Sequence, residues 1–123
     1  MRSLVLALCL LVPGTSSADE VLFDSCNILY QATDFEAAAD CFTALVDDGV
    51  HNGPLHHNLA NTLLHLDRHG EAIYHYRQAQ VFQPRDSELR SHLAKARAAA
   101  EVAEPDTPRS PVSQLLFFHD SLS

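Results

Sequence analysis

The chain has 123 residues, enough for one small domain, and carries 16 acidic against 8 basic side chains for a formal net charge of −8. That balance excludes nucleic acid as a partner, because neutralising phosphates takes clustered Lys and Arg.

Residues 1–18, MRSLVLALCLLVPGTSSA, have the layout of a secretory signal: Arg2, an apolar core, then small residues Ser16, Ser17 and Ala18 at a cleavage point. The apolar run before Pro13 is far shorter than the roughly 20 residues needed to span a bilayer. Bulky Leu8 before Cys9 argues against lipidation there. Export implies an oxidising compartment in which Cys26 and Cys41 can pair. Two readings stay open for them, a bridge between the two helices that carry them or two small apolar core residues. The acid is uneven. Residues 19–52 hold Asp19, Glu20, Asp24, Asp34, Glu36, Asp40, Asp47 and Asp48 with no Lys or Arg, whereas later residues nearly balance acids with bases.

Sliding the sequence by 34 positions lays Asn27 on Asn61, Leu29 on Leu63, Ala38 on Ala72, Phe42 on Tyr76 and Leu45 on Ala79 without a gap. Each unit reads as two helices. The first unit has stripes Leu22, Cys26, Leu29 and then Phe35, Ala38, Ala39, Phe42, Leu45, stopped by Gly49. In the second, Leu59, Ala60, Leu63 and Leu66 are followed by a polar break, DRHG, and by Ala72, Ile73, Tyr76, Ala79 and Phe82, ending before Pro84. The alternative is an ordinary helical bundle, which also shows such stripes.

With Leu59-Ala60, Leu63, Ala72, Tyr76, Ala79 and Pro84 at its marked positions, the pattern resembles the tetratricopeptide repeat (TPR) family. The first unit departs from it at Ser25 and Val50. The resemblance implies an all-α fold of stacked antiparallel helix hairpins: repeat 1 at residues 19–52, repeat 2 at 53–86 and a C-terminal capping helix at 87–102. In the capping helix Leu93 and Ala94 keep the pattern, and Arg90 and Arg97 face water. A Pro-rich linker, 103–111, leads to an apolar tail, 112–123, which either folds back on the repeats or contacts a membrane interface. This layout is also similar to the N-terminal, periplasmic part of the TPR protein of the bacterial Bat (aerotolerance) operons, which continues into a membrane span. The expected location is therefore periplasmic, with membrane association through the tail.

In the TPR fold the first helix of each unit lines a concave groove. The resemblance puts Glu20, Phe23, Asn27, Tyr30 and Gln31 there from the first unit, Pro54, His57, Asn61, Leu64 and His65 from the second, and Ser91, Lys95 and Ala98 from the cap. Phe23, Gln31, His57 and His65 replace most cations of the carboxylate clamp found in some family members, so a mixed aromatic and polar groove is expected. It would bind a protein or peptide partner, an envelope or membrane protein, with self-association as a further outcome. No Gly-rich phosphate loop, HExxH or Gly-x-Ser-x-Gly turn is present, so no enzyme and no cofactor are expected.

Histidines are dense: five of the eight lie between His56 and His75. They suggest a second class of function, metal or proton sensing. Read on single helices, however, His57 and His65 share the groove face about 12 Å apart. His56 sits between hairpins, His69 in a turn and His75 on the outer side. That distribution holds no metal site.

Overall fold

The structure, a computed structural model, describes residues 16–103, which form five α-helices and no strand. They are α1 (Ser17–Gln31), α2 (Phe35–Asp47), α3 (Gly53–His65), α4 (His69–Phe82) and α5 (Ser87–Ala103). The fold of these residues is all-α. Each helix packs on its neighbour in the chain, and α1 also touches α3.

Local chemistry sets the helix starts. Ser16 caps α1, whose first turn carries Asp19 and Glu20, where carboxylates favour the positive end of the helix dipole. Asp34 accepts from the Ala37 amide at the start of α2. Asn52 accepts from the Leu55 amide at 2.8 Å, and Pro54 fits the first turn of α3, where its missing N–H costs nothing. Asp86 takes the Glu88 and Leu89 amides at the start of α5. Gly49, with φ 92°, closes α2 in a conformation that side chains disfavour. The helix therefore begins at Ser17, two residues before the first repeat was expected to start.

The 34-residue period recurs in the backbone. α1 and α3 end at Gln31 and His65, α2 and α4 start at Phe35 and His69, and α3 and α5 start at Gly53 and Ser87. Thr33 and Asp67 both take positive φ, 62° and 57°. The residues after them, Asp34 (φ −82°, ψ 71°) and Arg68 (φ −86°, ψ 64°), repeat each other as well.

Matched positions are also buried alike. Ala38 and Ala72, Phe42 and Tyr76, Leu45 and Ala79, and Cys26 and Ala60 all lie in one core, which Leu89, Leu93 and Ala96 of α5 close. The small residues let helices approach, and the aromatic pair fills the space left between them. Ala94, the counterpart of Cys26 and Ala60, is exposed, because no described helix follows α5 to cover it.

Two stripe residues depart from expectation. Leu22 is 37% and Phe82 49% exposed. Phe82 is the last residue of α4, and Leu22 lies on a flank of α1 that no other described helix covers.

Of the two readings of the cysteines, the structure has the bridge. Cys26 in α1 and Cys41 in α2 are disulfide-bonded with Cα atoms 5.4 Å apart, so the first hairpin is pinned near its middle.

Residues 1–15 of the expected signal at 1–18, the expected linker beyond Ala103 and the apolar tail lie outside the described residues. Among the described residues, no helix is long and apolar enough to cross a membrane.

Candidate partner-binding face

The thirteen groove residues expected from sequence all lie on α1, α3 and α5. Three sets of contacts run across these helices. Asn58 donates its amide N–H to Asn27 Oδ1 at 2.8 Å, joining α3 to α1. Tyr30 Oη lies 3.2 Å from His65 Nε2, and the His65 ring stacks on Phe35 at a centroid distance of 4.2 Å. His57 Nε2 lies 2.8 Å from His92 Nδ1, joining α3 to α5, and both rings lean on Tyr76. The pairs Tyr30–His65 and His57–His92 have the same sequence separation of 35, so one register carries both. The result is a strip of aromatic and polar contacts that links the three helices, backed by Phe35 of α2 and Tyr76 of α4.

The expected residues differ in what they can offer a ligand. Phe23, half-buried, tilts against Phe42 at 5.8 Å, and Tyr30 and Leu64 pack against the core. Gln31, His65 and Lys95 are exposed. Asn61 is occupied: its Oδ1 accepts the hydroxyl proton of buried Tyr76. Burial, and then Tyr30, push the Tyr76 hydroxyl up to about 12, so it stays a donor across ordinary pH. Asn61 is therefore partly a support for Tyr76 rather than wholly a ligand contact. Replacing it would strand a buried hydroxyl, at a cost of about 1–3 kcal/mol. His57 is held below its ordinary value first by burial and then by His92, with Glu88 and Asp86 opposing. It meets a ligand as neutral imidazole.

The histidines are not spread as expected. His56 is buried, with Nε2 3.2 Å from His51 Nδ1 and Nδ1 3.0 Å from His75 Nδ1, and the three rings stack at 5.5 and 5.3 Å. His75 therefore faces α3 instead of the outer side. The antiparallel pairing of α3 with α4 brings together residues on opposite sides of the turn, which spacing along a single helix does not reveal. His56 spends both ring nitrogens on different neighbours, so the three form a line and not a cage. Among the described residues, no three His, Cys, Asp or Glu side chains group to hold a metal ion.

This line of rings makes stability depend on acid. Burial, then His56, push His75 down to about 4 against the opposing pull of Glu71, and burial, then His51, lower His56. Below the ordinary value of 6.5 the unfolded chain therefore binds protons that the folded chain refuses. The contribution is full above about pH 6.5 and is lost as pH falls from there toward about 4. In urea unfolding between about pH 7.5 and 4.5 the midpoint should drop, and His75→Asn should flatten the drop. An equal slope in both proteins contradicts this assignment.

Sequence reasoning missed His92 and Asn58 as members of the strip, and Phe35 of α2 as the ring on which His65 stacks. His92 carried a signal, since it follows His57 by the interval that separates His65 from Tyr30.

A pocket of about 450 Å³ opens beside the strip, where the start of α1 meets the end of α2 and the start of α3. Phe23, Leu45, Val50 and Pro54 give it apolar walls, Asn52 a polar edge, and Asp19, Glu20 and Asp24 an acidic side.

No family model matches the chain, and no curated protein matches its sequence.

Proposed function

We propose that this chain is an exported, TPR-type stack of two helix hairpins and a capping helix. On this reading it is a non-enzymatic adaptor of a bacterial cell-envelope complex and binds a protein or peptide partner across α1, α3 and α5. The observation that carries the reading is the repeated register. Three pairs of helix boundaries, the positive-φ turns and the buried positions recur after 34 residues. Such stacking leaves one face built from the first helix of every unit, and extended faces of that kind bind peptides. The strip offers aromatic rings, imidazoles and exposed amide and ammonium groups, a set suited to mixed polar and apolar peptide contacts.

Because Asn61 supports Tyr76, the informative variant is Gln31→Ala with Lys95→Ala, two exposed positions whose side chains make no hydrogen bond among the described residues. Capture of an envelope partner should fall by about tenfold with unfolding unchanged, since exposed substitutions of this kind leave stability within about 0.5 kcal/mol. Undiminished capture would sink the assignment of the binding face.

A second reading, proton sensing, draws on the His51–His56–His75 line. It predicts that partner capture changes as pH falls to about 4 in the unsubstituted protein and less so in His75→Asn.

A further inference from the structure

We infer that the pocket at the acidic end of the molecule receives an apolar side chain of a partner segment that carries Lys or Arg on either side of it. The inference rests on the reading of the domain as a peptide-binding module and specifies the chemistry of the peptide.

The walls come first. Leu45 is fully buried in the core, while Phe23, Val50 and Pro54 line the opening. A pocket of about 450 Å³ lies within the range of small-molecule and side-chain sites and takes one large apolar group. Filling it would remove apolar surface from water, the usual anchor of a peptide in a groove.

Charge then selects the occupant. Asp19, Glu20 and Asp24 stand on one side of the pocket. They belong to residues 19–52, which hold eight carboxylates and no Lys or Arg. The first basic side chain after them, Arg68, is itself bound to Glu71 through both carboxylate oxygens. No cation in this part of the chain offsets the field, so an acidic or neutral segment gains nothing from it and a basic one is drawn in. The chain's own tail fits poorly on the same ground, because the nearest basic residue to Leu115–Phe118 is Arg109, six positions before, and only His119 and Asp120 follow directly. A second copy fails for a related reason, since the whole chain carries a net charge of −8 and repels itself.

The test uses acetyl-Lys-Lys-Leu-Phe-Lys-Lys-amide and the matching peptide with Glu in place of every Lys, titrated into the labelled full chain and followed by amide NMR shifts. The basic peptide should move the Phe23, Val50 and Asn52 amides. Its affinity should fall about tenfold between low and near-physiological salt, as expected for solvent-facing charges. The triple variant Asp19→Asn, Glu20→Gln, Asp24→Asn should weaken it by a similar factor. Because two of these acids also favour the first turn of α1, the salt series on the unsubstituted protein serves as an independent measure.

Equal binding of the acidic peptide overturns the inference. So does absence of shifts from either peptide. Shifts confined to α3 and α5 that ignore the triple variant overturn it too, while leaving the proposed binding face intact. If deleting residues 104–123, or diluting the protein without peptide, moves the same amides, the pocket belongs to the tail or to a second copy and the inference also fails.

Discussion

Phe42→Ala should lower the free energy of unfolding by about 3–5 kcal/mol, the loss typical of deleting a buried ring from a packed interior. Phe42 is fully buried, tilts on Phe23 at 5.8 Å and sits in the same core as Ala38, Leu45, Leu55 and Leu59. Its neighbours are helical and held at both ends, so collapse into the space left behind is limited. Small domains have about 5–15 kcal/mol in total, so the variant should be marginal at growth temperature. Phe42→Leu, which keeps most of the volume, should cost much less. Urea unfolding followed by circular dichroism reads both. A loss under about 1 kcal/mol for the alanine variant would mean that the ring at position 42 is not packed tightly in the core.

Reduction of the Cys26–Cys41 bridge should cost about 3 kcal/mol. The two cysteines are separated by 15 in sequence, and closing a loop of that size removes conformations from the unfolded chain on that scale. The first hairpin needs the constraint most, because the outward flank of α1 leaves Val21, Leu22 and Ile28 exposed. A Cys26→Ala, Cys41→Ala variant should unfold at the lower midpoint and ignore dithiothreitol. Alanine suits position 26 in particular, since Ala60 occupies the matching place in the second hairpin. A midpoint of the unsubstituted protein that is the same with and without reductant would contradict the bridge as a source of stability.

Helix content and the repeated spacing were readable in the sequence because they depend on local signals. Apolar residues recur every three to four positions, Pro84 and Gly49 end helices, and Phe42 and Tyr76 repeat at one offset. The residues that the TPR resemblance put in a groove fall on α1, α3 and α5. What escaped notice depends on how helices pair. His75 looked outward on its own helix, and only the fold of α4 onto α3 brings it to His56. Asn61 looked free, and only the depth of Tyr76 claims its carbonyl oxygen. The disulfide was undecided for the same reason: Cys41 lies slightly off the apolar stripe of α2, and the rotation of α2 against α1 sets its distance from Cys26. The pocket forms where parts of three helices meet, so no single segment announces it. Phe82 and Ala94 misled in the opposite sense, as residues of core type that end up exposed, one at the last position of α4 and the other where no described helix follows α5.

The proposal that the α1, α3 and α5 face binds a partner is tested most directly by photo-crosslinking in cells that produce the protein. A photoreactive amino acid would be placed singly at Gln31, His65 or Lys95 on that face, and at Asp40 or Arg77 on exposed positions of α2 and α4. The account predicts one discrete adduct of the same size from all three positions of the first set and none from the second. Adducts from Asp40 or Arg77 alone, or the same adducts from both sets, would contradict it.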